Sequence, residues 1–334
     1  MIERRFGASK PLSIGVEEEL MILDGETLQP AAAVGVLVAG ARELDLPGTL
    51  KTELHASVVE LTTDVCDTAA EAVESLRALR AAADSIARAN GLRIAAAGAH
   101  PTAPLESLPV VDEERYLRMV ERVGRSARRQ GVNGLHVHVG VESADACWER
   151  LEAVLPWLPG VLAVSANSPF VDGEATGMLS NRAGILTELP RAGAPPTFAG
   201  YAAWESWVER LMSLGVLEDH TRIWWDVRPN PRFGTLELRI ADQPTSLTRT
   251  ALVVELLRDL VAGAPPCPSA DRGVYLQNRW SAARHGVEAE LVHPTEDRLC
   301  TPHELLGRPL PEPEALLQLR AADPAADLVE RTLA

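Results

Sequence analysis

The sequence predicts one α+β domain spanning residues 1–334, and three observations predict it. Short apolar stretches that alternate like strands are interspersed with longer ones of helical period. The chain carries no internal repeat, low-complexity tract or clean linker. A hydrophobic content of 46% over 334 residues is enough to bury a sizeable core.

Ser13 to Leu23, within SIGVEEELMILD, reads as a strand, and the alanine- and valine-rich Ala31 to Leu44 as a helix. Leu54 to Leu61 reads as a second strand. Thr68 to Asn90 is a helix, because its apolar residues recur at helical spacing, Thr68 and Glu71 resemble a capping box and Gly91 supplies a stop. Leu92 to Ala99 is a strand ending at His100-Pro101, and Glu113 to Gln130 a charged amphipathic helix closed by Gly131. NGLHVHVGVE supplies the next strand. Ser143 to Leu158 and Phe198 to Leu214 read as helices on either side of a loop rich in Gly, Pro and Asn, from Asn167 to Pro196, whose length suggests a function. Thr235 to Ala241 alternates as a strand, while Leu247 to Ala262 and Leu276 to Ala289 read as helices. The tail, with LPEPEALLQLR, is helical and peripheral.

Composition narrows the function. A formal charge of -15 and a pI near 5.0 oppose binding to nucleic acid or an anionic membrane, both of which need a basic footprint. No apolar run approaches a membrane span and MIERRFGASK lacks the apolar core of a signal peptide, so a cytoplasmic location is expected. Cys66, Cys147, Cys267 and Cys300 are scattered without a CxxC spacing and are expected to be free thiols. Lys10 and Lys51 are the chain's lysines, which leaves little room for lysine chemistry. There is no glycine-rich phosphate loop, so phosphate binding would fall to arginine forks.

Side chains alternate along a strand, so Glu17 and Glu19 share one face, about 7 Å apart by twice the rise per residue, while Glu18 points away. The same spacing pairs His136 with His138 and Glu237 with Arg239, and TELHASVVEL adds Glu53 and Glu60. Each feature alone has an ordinary explanation: a solvated acidic face, a packed pair of histidines, a two-faced strand. Together, as same-face pairs on otherwise apolar strands, they point to a site. Carboxylates crowded on one face repel unless protons or a cation neutralise them, and a divalent metal is the simplest remedy. A carboxylate-dominated set favours Mg²⁺ or Mn²⁺ and tolerates an imidazole. Such ions would let an acidic protein hold a nucleotide polyphosphate, with Arg228, Arg232 and Arg239 on its phosphoryl oxygens. Two other readings are a metal-dependent hydrolase using His136 and His138 to activate water, and a protein that only holds nucleotide and metal. The glutamate-rich ligand set disfavours the first.

SIGVEEELMILD, NGLHVHVGV, WWDVRPNPRFGTLELRIADQPTS and NRWSAARHGVEAELV closely resemble the carboxylate-amine ligase family, also called class 2 glutamate-cysteine ligases, over about Ser13 to Leu306. The resemblance implies a glutamine-synthetase-like fold, with a curved, mainly antiparallel sheet whose concave face holds the active site and helices behind. It implies use of ATP and divalent ions, Mg²⁺ or Mn²⁺, to phosphorylate a substrate carboxylate, typically the γ-carboxylate of glutamate, which an amine such as cysteine then attacks. It implies small-molecule partners and a homo-oligomer, often a dimer. Carried over by motif, Glu17, His136 and Glu237 resemble one metal set, and Glu19, Glu53 and Glu60 another. Arg239 resembles the phosphoryl clamp, Arg228 and Arg232 candidates for nucleotide or acyl phosphate, and Arg182 a candidate for the substrate's α-carboxylate. The Asn167 to Pro196 loop would guard the acyl phosphate from water. Ala56 and Val58 stand where glutamines are common in the family, and Asn133 where a cysteine is common. Glu18, as a spacer, is expected to tolerate Glu18→Gln almost silently, whereas Glu237→Gln is expected to abolish turnover.

Overall fold

The computed structural model describes residues 2 and 4–333. The alternation in SIGVEEELMILD produces a long strand, β1 (Ile14–Asp24), and the rest of the sheet assembles around it. β2 (Gly48–Thr52), β3 (Val58–Thr63), β4 (Leu92–Ala95), β5 (Gly134–Gly140), β6 (Val227–Asn230) and β7 (Thr235–Asp242) join it in one seven-stranded sheet. The order is β6-β7-β5-β1-β3-β2, with β4 paired to the second half of β1, and every pairing is antiparallel. The sheet stays open, with β6 and β2 at its edges, and is not a barrel.

One face of β1 carries Ile14, Val16, Leu20 and Ile22, all fully buried, and the helices pack there. These include α1 (Val34–Ala41), α2 (Ala69–Ala89), α4 (Ala144–Val154), α5 (Leu158–Ser165) and α7 (Leu247–Gly263), whose apolar residues merge with those of the sheet into one large core. Burial of this kind contributes about 25 cal/mol per Å² of apolar surface, which is why alternation dictates the facing of each strand. Two further helices lie across the chain's second half, α6 (Tyr201–Ser213) and α8 (Arg272–His285), while α3 (Glu114–Val123) stands over the opposite face of the sheet.

Glu18 lies on the helix side of the sheet, as alternation requires, but it is no idle spacer. It and Arg80 of α2 are both fully buried. Arg80 Nε and Nη2 donate to the two Glu18 carboxylate oxygens at 2.7 and 2.5 Å, and Thr250 and Gln243 donate to Oε1 as well. The expectation that Glu18→Gln is silent is therefore corrected: the change leaves a buried guanidinium without its counter-charge.

Several boundaries also move. β2 was not legible, since GTLKT mixes glycine and lysine into an edge strand where no second face needs burying. The second strand runs Val58–Thr63 rather than Leu54 to Leu61, because residues 53–57 turn. The strand after α2 stops at Ala95 instead of Ala99. The Glu113 to Gln130 helix breaks at Gly124, which adopts φ +73°. The Ser143 to Leu158 helix ends at Val154, and α5 begins after a short 3-10 turn containing Pro156. α8 starts earlier than Leu276, at Arg272, where Asp271 caps Gly273 and Val274 N–H groups, and it stops at Gly286. The cysteines are free, as expected. Among the described residues no helix is long and apolar enough to cross a membrane.

Candidate functional site

The sheet face opposite the helices forms the floor of a cleft of about 510 Å³. The antiparallel register builds that floor: Glu17 stands opposite His136 and Thr62, Glu19 opposite Glu60, and Glu237 opposite both His138 and Arg228. All ten residues singled out from the sequence line this cleft, namely Glu17, Glu19, Glu53, Glu60, His136, Arg182, Arg228, Arg232, Glu237 and Arg239.

The grouping within the cleft differs from the motif assignment in one respect. Among the described residues, the three metal-capable side chains whose donor atoms lie within 4.8 Å of one another are Glu17, His138 and Glu237. His136 sits one step along the floor, its Nδ1 3.2 Å from Glu17 Oε2 and its Nε2 3.8 Å from Glu19 Oε1. His138 is aimed by Thr235, whose hydroxyl lies 3.0 Å from Nδ1. Its Nε2 is buried, 3.4 Å from Glu17 Oε1, and makes no hydrogen bond. A buried imidazole nitrogen without a partner, flanked by two carboxylates and oriented through its other nitrogen, fits a divalent cation.

Glu237 is held by a dense set of donors. Arg228 forks onto it through Nε and Nη2 at 2.9 and 2.8 Å, Arg239 Nη1 donates at 2.6 Å and Asn230 Nδ2 at 2.9 Å. Burial acts to raise the Glu237 pKa, but Arg228 and Arg239 overcome it and hold the carboxyl well below the usual range. Glu17 is likewise held low against burial, by His138 and His136. The Arg228 Nη1 also donates to the carbonyls of Thr221 and Ile223, which locks the fork in place.

The second carboxylate group behaves oppositely. Burial and the charge of Glu53 push Glu19 up to about 8, and burial with Glu17 and Glu53 pushes Glu60 up to about 7. Glu53 is raised mainly by burial, against a hydrogen bond from Tyr116. Without a cation Glu19 and Glu60 hold on to protons near neutral pH, so a cation arriving among the three carboxyls relieves a real electrostatic cost. His136 is driven down to about 3 by burial and by Arg239, and is neutral and free to accept or ligate.

Arg182 enters the cleft from a short helix in the Asn167 to Pro196 segment. Its guanidinium donates to the carbonyls of Arg239 and Ile240, lies 4.0 Å from Asp242, and has a buried Nε without a partner. Gly134 is required beneath it, since a Cβ there would collide with the guanidinium. The segment is pinned rather than loose: Asn167 N–H, Ser168 and Ser180 all donate to Asp242. It contributes Arg182, Leu186 and Leu189 to the wall, whereas the roof is built by Arg115, Tyr116, Arg118 and Met119 of α3 and by Glu218 to Arg222. Arg118 Nε approaches Glu218 at 3.6 Å and Arg222 Nη2 donates to Arg115 O at 3.3 Å, clasping the two roof pieces together. Arg232, exposed beside an equally exposed Phe233, stands at the mouth.

Sequence reasoning missed two contributors and gave His138 no place in the metal set, although it shares a face with His136. Asn230 lies on β6, which the prolines of VRPNP concealed as a strand. Tyr116 gave no signal, being one aromatic in an amphipathic helix.

The sequence model of glutamate-cysteine ligase family 2 matches residues 13–322. A Rubrobacter xylanophilus protein provisionally named glutamate-cysteine ligase 2-3 is 39% identical over 347 aligned residues, covering 100% of this chain and 95% of its own. A Herpetosiphon aurantiacus protein, provisionally named glutamate-cysteine ligase 2, is 34% identical and covers 89% of this chain and 79% of its own. Among solved structures, glutamate-cysteine ligase from Francisella tularensis, in complex with AMP, superposes with TM-score 0.65 at 15% identity, over 97% of this chain and 82% of that one. The bifunctional glutathione synthetase from Pasteurella multocida gives TM-score 0.59 at 17% identity, and this chain spans 49% of its length. At such identities the two structures establish likeness of fold.

Proposed function

The chain belongs to glutamate-cysteine ligase family 2, and from that premise we propose that it is an ATP-dependent carboxylate-amine ligase. In this reading it forms an amide through an acyl phosphate, with the γ-carboxylate of glutamate as donor and an amino acid such as cysteine as the amine. The whole chain acts as one catalytic domain.

The observation that carries the reading is the division of charge in the cleft. One part gathers Glu17, His138 and Glu237 around an unpartnered imidazole nitrogen; a second holds Glu19, Glu53 and Glu60, three buried carboxyls whose pKa values are all raised for want of a cation. Arg228 and Arg239 border the first part, and Arg182 lies near Glu19 of the second. Mg²⁺ or Mn²⁺ would be held by these two groups and would supply charge neutralisation for polyphosphate and for the transferred phosphoryl group. His136, neutral between Glu17 and Glu19, belongs to either shell.

The chain's own residues then do the following. Arg239, anchored on Glu237 through Nη1, offers its remaining N–H groups to the phosphoryl in flight, and phosphoryl transfer gains chiefly from such positioning and charge. Arg228 is locked on Glu237 and two carbonyls, so its part is to fix Glu237 as much as to touch phosphate. Arg232 at the mouth suits the outer phosphates. Arg182, with an unpartnered Nε, suits a substrate carboxylate. The roof from Arg115 to Met119 and Glu218 to Arg222 excludes water from the acyl phosphate.

The test is to supply ATP, Mg²⁺, glutamate and a panel of amines and to measure ADP and phosphate. The reading expects equal release of both only when acid and amine are present together. Release with neither substrate, or none with any pair, would refute it.

A further inference from the structure

Glu53 differs from the other carboxylates of the cleft floor in how it is held. It does not lie on a strand; it follows β2, in the turn before β3, where backbone pairing alone gives its side chain no fixed aim. Its Oε2 accepts two bonds, from the N–H of Leu54 at 3.0 Å and from the hydroxyl of Tyr116 at 2.9 Å. Among the described residues no donor bonds Oε1. One oxygen is thus tied to the protein and the other is left for the cleft, the arrangement by which an outer hydrogen bond orients a ligand.

Tyr116 belongs to α3, the roof. Its hydroxyl also lies 3.0 Å from the carbonyl of Thr52, so one proton faces two acceptors, and a charged Glu53 takes it because charge-assisted bonds are the stronger. The surroundings hold the ring in place: Arg115 lies over its face at 4.3 Å and donates to Thr52 Oγ1 at 3.1 Å, and Thr52 Oγ1 donates to Glu113 at 2.6 Å. The roof therefore touches the floor at a carboxylate of the cleft.

We propose that Tyr116 is a positioning residue that couples the roof helix to cation binding, by holding Glu53 with one oxygen turned toward the ion. The inference rests on the proposed assignment of Glu53 as a cation ligand. Linkage then works in both directions: an ion that draws Glu53 into the cleft tightens α3, and a loosened α3 weakens the ion.

The probe is Mn²⁺, titrated by electron paramagnetic resonance into the full chain without nucleotide, together with hydrogen exchange of residues 114–123. Tyr116→Phe removes the hydroxyl and keeps the ring. The expected result is Mn²⁺ affinity about tenfold weaker than wild type, the lower end of the usual effect of such an outer bond, and loss of the Mn²⁺-induced slowing of exchange in α3. Glu53→Gln supplies the second arm. Once Glu53 is neutralised, adding Tyr116→Phe is expected to cost no further affinity, whereas a merely structural role for Tyr116 gives losses that multiply. Wild-type affinity in Tyr116→Phe, with Glu53→Gln weakened, overturns this inference alone. Wild-type affinity in Glu53→Gln overturns the assignment of Glu53 and the inference together.

Discussion

Glu18→Gln is a test in which the buried side of the sheet, rather than the cleft, decides the outcome. Glu18 and Arg80 are both at 0% exposure, and the substitution keeps the shape of the side chain while removing its charge. Arg80 keeps its bonds to the carbonyls of Pro244, Thr245 and Thr332, so the loss is of the counter-charge and not of all partners. Breaking a buried pair in this way costs about 3–5 kcal/mol. With an unfolding entropy of about 0.7 kcal/mol/K for a chain of 334 residues, the melting temperature should fall by about 4–7 °C. Urea or thermal unfolding followed by circular dichroism measures this directly. Turnover per folded molecule should stay close to wild type, because Glu18 faces away from the cleft. A Glu18→Gln protein within about 1 kcal/mol of wild type would refute the claim that this ion pair is desolvated.

Further outcomes follow from the cleft. Glu237→Gln should abolish ADP release yet leave the circular dichroism spectrum unchanged; because Arg228 and Arg239 would lose their charged acceptor, the variant's melting temperature should drop as well. The metal-free protein should lose stability as pH rises from about 6.5 to 8: Glu19 and Glu60 have folded-state pKa values near 8 and 7 against 4.5 unfolded, so the folded state binds more protons there. His138, raised in the folded state, adds to that loss, and the depressed His136 contributes nothing above its ordinary value near 6.5. Saturating Mg²⁺ should flatten this profile and release protons on binding, which calorimetry in two buffers would detect. Gly134→Ala should displace Arg182 and raise the KM of the carboxylate substrate more than that of ATP.

Much of this site was legible from alternation alone. The period of two in VEEEL, LHVHV and TLELR put Glu17, Glu19, His136, His138, Glu237 and Arg239 on one face, and the sheet registers bring them together. Which histidine joins Glu17 and Glu237 was not legible. It depends on the register of β7 against β5, where His138 opposes Glu237, and sequence spacing does not reveal that register. Nor was the partner of Glu18, since Arg80 lies 62 residues away on a helix that reads as merely amphipathic. The roof escaped for a related reason. α3 and the 218–222 segment meet through side-chain contacts between parts of the chain about a hundred residues apart, and local pattern carries no information about that meeting.

In the proposed reaction a substrate carboxylate is phosphorylated in this cleft before the amine attacks. Turnover with glutamate labelled with ¹⁸O in its γ-carboxylate, followed by mass spectrometry of the phosphate released, tests it directly. One ¹⁸O is expected in each phosphate formed, because the oxygen that bridges carbon and phosphorus leaves with phosphorus when the amide forms. Unlabelled phosphate accompanying labelled amide would contradict it.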